Sequence, residues 1–236
     1  MGGNIIVAVE WFLARYLISE NKKSISALAL SRHCGISYNS AWLIKQKIMH
    51  AFLHAEQQNP LSGVVHIDDG YLGGKRQGIR GRGAHGKTPF VTALSLVNGR
   101  PDQLKLTIVP NFTKASIAHW AQTALSGPCV VYSDNLLGFS GVKASDMLHK
   151  PINVSAEPDA KDQIFQAINT IMGNLKRYLL GIHHAIRAGN IARYLAAFAW
   201  RFNHRYDLKH AFKAGVNCIR TTQPLTLKHL RDVLYT

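Results

Sequence analysis

The chain has 236 residues, with 28 Lys and Arg against 13 Asp and Glu, which gives a formal net charge of +15 at pH 7 and a sequence pI of about 10.0. This excess of positive charge favours a polyanionic partner such as a nucleic acid. Hydrophobic residues make up 47% of the chain, which is enough for a sizeable core and excludes a disordered basic tail.

The first segment, "MGGNIIVAVEWFLARYLIS", is apolar. It has no basic n-region and no small-residue cleavage site, and Glu10 and Arg15 interrupt it. The pattern therefore predicts a core helix rather than a signal peptide or a membrane span. The three cysteines of the chain, Cys34, Cys129 and Cys218, form no CxxC pair. Their spacing argues against a disulfide framework or a zinc ribbon and favours a reducing, cytoplasmic location.

Residues 5–58 show helical periodicity, and the stretch "NPLSG" at 59–63 predicts a boundary between a helical region over 1–60 and a second domain over 61–236. In the first region, Ser31, Gly35 and the capping residue Ser37 have the spacing of a helix-turn-helix. The alternative is an ordinary helical hairpin in which Gly35 is only a C-cap. If the motif binds DNA, its second helix would present these polar and basic residues to bases or phosphates: Tyr38, Asn39, Ser40, Lys45 and Lys47.

Strand patterns begin at residue 64. "VVHID", "FVTALSLV" and "LKLTIV" predict a three-stranded antiparallel meander, with a turn at Asn98 and Gly99. An amphipathic helix with Thr113 as N-cap follows, and then "CVVYSD", whose continuous apolar run is typical of a buried parallel strand. We expect loop from there to about residue 160 and helices beyond it. The order β-β-β-α-β-α-α predicts an α/β, ribonuclease-H-like domain with a mixed sheet and flanking helices.

Two carboxylates end neighbouring strands of this topology. Asp68 ends the first strand and Asp134 ends the fourth, so both side chains can converge on one spot. Two acids at one spot repel each other unless a cation lies between them, and hard oxygen ligands suit a pair of Mg²⁺ or Mn²⁺ ions. The alternative is that each Asp is only a turn residue at a strand end. Asp69 competes with Asp68 for the role of ligand. Alternation places the two on opposite faces, and a strand covered on both sides has no apolar face by which to choose between them.

A basic, glycine-rich loop follows the first acids. Its glycines let the backbone approach a phosphate closely, so the loop is predicted to contact DNA beside the metals. The alternative is a solvated hairpin tip. The loop carries five cations: Lys75, Arg76, Arg80, Arg82 and Lys87.

Three blocks, "HIDDGYLGGKRQGIRGRGAHGKTPFV", "VVYSDNLLGF" and "NLKRYLLGIHH…ARYLAAFAWRFNHR", resemble those of bacterial insertion-sequence transposases with an ISXO-like catalytic domain. The resemblance implies that Asp68 and Asp134 are the first and second metal ligands of a D, D, third-residue site. It aligns Asn169 with the third position, where most such transposases carry Glu and where this group accepts Glu, Asn or His. Lys176, seven residues along the same helix, would hold a DNA phosphate, with Arg177 beside it.

The sequence leaves the roles of several other side chains undecided. His66 could be a ligand, although a hydrogen-bonded core histidine is the more ordinary role. If the third-ligand assignment to Asn169 fails, Glu157 or Asp162 becomes the candidate. His183 and His184 follow the Lys176 helix and either touch DNA or end a turn.

The resemblance implies a transposase that cuts double-stranded DNA at the terminal inverted repeats of its own element and joins the freed 3′-hydroxyl to target DNA. Pairing two element ends requires at least a dimer. One alternative is a catalytically impaired descendant that still binds DNA. Another is a helix-turn-helix regulator with a ligand-binding α/β domain.

Overall fold

The computed structural model describes residues 8–20, 24–73, 86–145, 147–153, 158–183, 186–223, 225–226 and 230. The chain divides into two compact units. The helical unit comprises Met1–Ala55 and Lys176–Thr236, and the sheet unit comprises Glu56–Leu175. The predicted division at residue 60 into a DNA-binding and a catalytic region remains a prediction.

The sheet unit contains five strands in the order β3-β2-β1-β4-β5. The first three form the predicted antiparallel meander, and β4 runs parallel to β1, as its apolar sequence indicated. The strands are β1 (Leu61–Leu72), β2 (Thr88–Val97), β3 (Arg100–Ile108), β4 (Leu125–Asp134) and β5 (Leu148–Ile152).

One face of this sheet carries the main apolar core of the unit. Val65, Ile67 and Val131 from the strands pack there with Trp120 of α4 (Lys114–Ala124). Thr113 caps α4 as predicted, because its side chain accepts a hydrogen bond from the backbone N–H of Ser116. The opposite face is contacted by α5 (Pro158–Ile182), through pairs described below. A mixed sheet with flanking helices fits the ribonuclease-H-like fold that the sequence predicted.

The expected loop between β4 and residue 160 is wrong. A 3-10 segment, Leu137–Ser145, and the short parallel strand β5 occupy much of it. A Cβ on Gly138 would lie 2.0 Å from the carbonyl oxygen of Phe112, so only glycine lets the segment pack this closely. Phe139 and Val142 are buried three residues apart, as 3-10 geometry requires. β5 was missed because it has no alternation and contains Pro151, which an edge strand tolerates.

The helical unit holds α1 (Ala8–Glu20), α2 (Ala27–Cys34), α3 (Tyr38–Gln57) as far as residue 55, the end of α5, α6 (Ile191–Asn203) and α7 (Leu208–Thr221). Phe52 of α3 stacks on Trp200 of α6, with ring centroids 4.2 Å apart. Between α2 and α3, Gly35 adopts a left-handed φ of 63°, and Ser37 accepts a hydrogen bond from the N–H of Ser40 at 3.1 Å. Ser37 is therefore the predicted cap, and the left-handed Gly35 is compatible with both interpretations of this spacing. Whether this turn serves DNA binding remains a prediction.

The prediction that the first segment forms a core helix is only partly right. α1 buries Ala14, Arg15 and Ile18, but Phe12 and Tyr16 are 50% and 51% exposed. None of the helices in the described part of the chain combines the length and apolarity that crossing a bilayer requires.

Candidate metal centre

The ladder between β1 and β4 brings two acidic residues side by side. His66 lies opposite Tyr132 and Ile67 opposite Ser133 in this parallel pairing, so Asp68 and Asp134 come next on the two strands. Side chains alternate along a strand, which puts Asp68 on the face of His66 and Asp134 on the face of Tyr132. The two carboxylates therefore share one face of the sheet, the face opposite the main apolar core.

Three carboxylates gather at this point. Asp68, Asp69 and Asp134 are each half-buried, and each offers an oxygen within 4.8 Å of the others. Like charges this close, partly withdrawn from water, disfavour one another unless a cation lies between them. Carboxylate oxygens are the hard ligands that Mg²⁺ and Mn²⁺ prefer. The donor set therefore fits a divalent cation of this kind.

Asp69 belongs to the cluster although strand alternation directs it to the other face. Its N–H donates a hydrogen bond to Asp68 Oδ1 at 2.9 Å, which helps to fix the Asp68 carboxylate. β4 ends at Asp134, whereas β1 continues to Leu72, so the edge of β1 beside Asp69 is no longer covered by β4 in this direction. A carboxylate at such an edge can reach the neighbouring acids from its own face.

Asp134 is held at the start of a turn. Its Oδ1 accepts a hydrogen bond from the N–H of Leu136 at 3.2 Å. Behind it, the hydroxyl of Ser133 lies 2.7 Å from the carbonyl oxygen of Asp134 and 2.8 Å from Nε2 of His149. Ser133 has one proton to donate. If that proton goes to the Asp134 carbonyl, Nε2 of His149 must carry a proton and donate to Ser133.

The buried pair of Ser133 and His149 was not predicted from the sequence. His149 comes from β5, which the sequence did not reveal, and burial lowers the pKa of its imidazole, with Lys143 adding to the effect. The neutral form is therefore the relevant one near pH 7. The only sequence signal was a lone histidine followed by a lysine and a proline.

α5 covers the sheet beside the acids. Phe165 packs against His66 with ring centroids 6.0 Å apart, and Thr92, the partner of Asp68 in the β1–β2 ladder, lies 2.9 Å from the sulfur of Met172. Asn169 lies between Phe165 and Met172 in a spacing of four and three residues, which places it on the same side of the helix. Its side chain is exposed, at the border of the buried face.

His66 is a core residue. Only 6% of it is exposed, and its ring packs edge-on against Tyr132 at 5.4 Å. Its burial and ring contact fit the core position anticipated for it. Of the fallback candidates for the third ligand, Glu157 and the side chain of Asp162 lie outside the described part of the chain.

The predicted DNA contacts have different surroundings. Tyr38 and Asn39 are exposed in the first turn of α3, while the hydroxyl of Ser40 is 2.9 Å from that of Ser37 in the cap. Lys87, Lys176 and Arg177 are also exposed. The other four loop cations fall outside the described residues: Lys75, Arg76, Arg80 and Arg82.

Lys45 requires a correction. It is 1% exposed, and its ammonium donates a hydrogen bond to the carbonyl oxygen of Ile25 at 2.6 Å, inside the helical unit. A side chain so buried does not present its charge to a phosphate, so Lys45 is not retained as a DNA contact. Its position could have been anticipated, because it falls on the same helical face as the buried residues Ala41 and Ile48.

These observations define a class: an α/β domain with acids converging on adjacent parallel strands of a ribonuclease-H-like sheet. The family of the ISXO2-like transposase domain matches residues 60–203, which is more than half of the chain. The chain therefore belongs to this family of insertion-sequence transposases of the DDE type, whose members are transposition enzymes. Comparison with curated proteins finds none with significant sequence similarity.

Proposed function

We propose that this chain catalyses metal-dependent cleavage and strand transfer at the ends of an insertion sequence. The observation that carries the proposal is the convergence of Asp68 and Asp134 on adjacent strands, within a domain that belongs to a transposase family. Asp68, Asp134 and Asn169 would hold Mg²⁺ or Mn²⁺, with two ions expected. When bound, a pair of such ions activates the attacking oxygen and stabilises the leaving oxygen of a phosphoryl transfer.

The proposed reaction has two steps, and the chain's own residues position the groups that react. In the first step, a water oxygen bonds to phosphorus and the bond to the 3′ oxygen breaks, which releases a 3′-hydroxyl and a 5′-phosphate. In the second, that 3′ oxygen bonds to a target phosphorus, and the target's own 3′ oxygen leaves. No protein side chain forms a covalent bond to DNA in either step. Asp68 and Asp134 supply the fixed negative charge, and the N–H of Asp69 and of Leu136 orient their carboxylates.

Asn169 is proposed as the third ligand. An amide oxygen coordinates a metal but neutralises none of its charge. Its place on the side of α5 that contacts His66 and Thr92, both on the same sheet face as Asp68, supports this role. Its exposure is compatible with a site that must admit DNA.

Duplex DNA is the proposed partner, in two roles: the terminal inverted repeats of the element and the target. Tyr38, Asn39 and Ser40, in the first turn of α3, would read or position the terminal sequence. The loop cations, with Lys87, Lys176 and Arg177, would contact phosphates, which fix the register of the duplex without reading its sequence. Two copies of the chain would act together, because two ends must be joined.

The test is cleavage of end-labelled duplexes that carry the repeats flanking this gene. We expect a nick with a free 3′-hydroxyl when Mg²⁺ or Mn²⁺ is present, no nick in EDTA, and joined products when a target duplex is added. DNA binding without cleavage under every metal condition would favour the catalytically impaired descendant. Absence of both binding and cleavage would contradict the transposase proposal.

A further inference from the structure

A groove in the helical unit lies between α1 and α7. It has a volume of about 330 Å³. Phe12 of α1 and Phe212 of α7 form its aromatic part, with ring centroids 6.5 Å apart and planes at 28°. Val216 continues the apolar floor, and the polar atoms around it come from α7: Lys213, Asn217 and Arg220.

The rim of this groove is positively charged. Lys209, Lys213 and Arg220 are exposed and follow one another at four and seven residues, so they form a stripe along one side of α7. Arg220 donates a hydrogen bond to Asn217 Oδ1 at 2.9 Å, which holds the guanidinium beside the groove. α7 contains no Asp or Glu. The groove therefore combines an apolar floor with cations that no acid on the same helix balances.

A further cation lies behind the floor. Arg15 is buried, and its guanidinium carbon is 4.7 Å from the centroid of the Phe212 ring. A Cβ on Gly215 would lie 2.2 Å from the Arg15 guanidinium, so glycine leaves the space that this side chain fills. Burial lowers the pKa of Arg15 to about 10, and Glu20 opposes the shift, so the group stays charged at pH 7. This positive charge makes the floor more favourable to an electron-rich ring and to a nearby phosphate.

We propose that this groove binds an unpaired nucleotide of a DNA strand, with the base against Phe12 and Phe212 and phosphates on Lys213 and Arg220. Aromatic rings flanked by cations are the pattern that recognises single strands, because every base offers a stacking face while the cations follow the backbone. Bases within a duplex are already stacked, so the groove favours a frayed or displaced strand. The proposal depends on the proposed function only in taking DNA as the partner.

A second copy of the chain is the competing occupant, since Val9, Leu13 and Tyr16 of α1 are also exposed. In a symmetric dimer built on this patch, equivalent surfaces would face each other. Each copy would bring the three exposed cations of α7 into that one interface, where α7 itself supplies no acid to pair with them, and an excess of like charge at an interface is unfavourable. Charge complementarity therefore selects a polyanion over a second copy.

The experiment measures binding of a fluorescent oligo-thymidine strand and of a duplex to the full chain in EDTA, so that cleavage does not enter. Phe12→Ala should weaken single-strand binding roughly 5-fold to 100-fold and duplex binding less. Phe12→Trp should restore it, and Val9→Ala, on the same helix but outside the groove, should leave it near the parent value. Lys213→Ala with Arg220→Ala should lower the salt dependence by up to about two phosphate contacts.

The matched charge control is Lys114→Ala with Lys143→Ala, which removes two exposed cations from the core-side layer of the sheet unit. An equal loss in this control and in the α7 pair would mean general charge attraction and would overturn the proposal. Unchanged single-strand affinity in Phe12→Ala would overturn it as well. If Phe12→Ala instead abolishes self-association in sedimentation velocity and leaves DNA binding intact, the groove belongs to a second copy. The proposed function is tested separately, by measuring cleavage of terminal-repeat DNA by variants of Asp68 and Asp134.

Discussion

Asp68 and Asp134 lie next to each other on two parallel strands and present their carboxylates to the same face of the sheet, with oxygens within 4.8 Å of one another. The relationship supports Asp68 over its neighbour Asp69 as the partner of Asp134 in the proposed site. Asp68 shares a face with Asp134, whereas Asp69 alternates to the face of the apolar core. Asp69 nevertheless brings a third carboxylate to the cluster, and the residue proposed here as the third ligand, Asn169, is neutral.

The first prediction concerns Asp69. Asp69→Asn removes one negative charge from the cluster but keeps the N–H that donates to Asp68. We expect the Mg²⁺ concentration for half-maximal cleavage to rise several-fold, with a rate near that of the parent at saturating Mg²⁺, because charge count sets affinity in oxygen-ligand sites. The measurement is a metal titration of cleavage. Complete loss of activity at every Mg²⁺ concentration would mean that Asp69, and not Asp68, is the primary ligand.

Asn169 is tested by two substitutions and one matched control. Asn169→Ala should strongly reduce cleavage, because the amide oxygen is lost. Asn169→Asp keeps the size of the side chain and adds a charge, so it should tighten Mg²⁺ binding, visible as greater thermal stabilisation by the ion than in the parent. The matched control is Asn174→Ala, an exposed amide on the same helix. Cleavage by Asn169→Ala as fast as by the parent at saturating Mg²⁺ would remove Asn169 from the site.

The pair of Ser133 and His149 should act as a positioning element for Asp134. His149→Leu removes the group that contacts Ser133 and should lower cleavage about 10-fold or more, as losses of outer hydrogen bonds at metal sites do. His149→Gln retains an N–H donor and should recover most of the activity. If His149 only filled space, the apolar variant His149→Leu would cleave DNA at least as fast as His149→Gln.

How far the sequence led can be judged from particular residues. Thr113, Gly35 and the parallel strand before Asp134 follow from local rules of capping, turn conformation and apolar patterning, and they were predicted correctly. β5 was missed because it is an edge strand, whose pairing is set by the neighbouring strand and not by its own pattern. Its contribution to the site, His149, was consequently missed too.

The prediction that α1 is a core helix was partly wrong for a different reason. An apolar run alone does not say which of its residues face the core, and here α1 buries Arg15 while Phe12 remains exposed. Lys45 shows the converse error, because its residue type suggested a surface contact although its helical position indicated the interior. Residue type misled in both cases, and helical periodicity gave a better guide only for Lys45.

The burial of Lys45 predicts a pH dependence of stability. Burial lowers the pKa of its ammonium to about 7, with the charge of Arg201 adding to the effect, whereas an unfolded lysine has a pKa of about 10.4. Between these values the unfolded chain binds more protons, so the free energy of unfolding should rise with pH, by up to about 1.4 kcal/mol per pH unit from this group. Lys45→Met should flatten that rise in denaturant titrations between pH 7 and 10.

The control for this prediction is Lys47→Met, the same substitution two residues along α3 at a side chain that is not fully buried. In this variant, the free energy of unfolding should rise with pH as steeply as in the parent. An equal change of slope in both variants, or no change in Lys45→Met, would contradict a specific effect of the buried ammonium.

The central claim is that Asp68 and Asp134 are metal ligands for DNA cleavage, and metal rescue tests it most directly. A thiolate is a soft ligand that accepts Mn²⁺ far better than Mg²⁺. Asp68→Cys and Asp134→Cys should therefore fail to cut terminal-repeat DNA in Mg²⁺, regain cleavage in Mn²⁺, and bind DNA like the parent under both conditions. Asp102→Cys, on the edge strand β3, should cut normally with either ion. Parent-like cleavage in Mg²⁺ by either cysteine variant would contradict the assignment of that residue as a ligand.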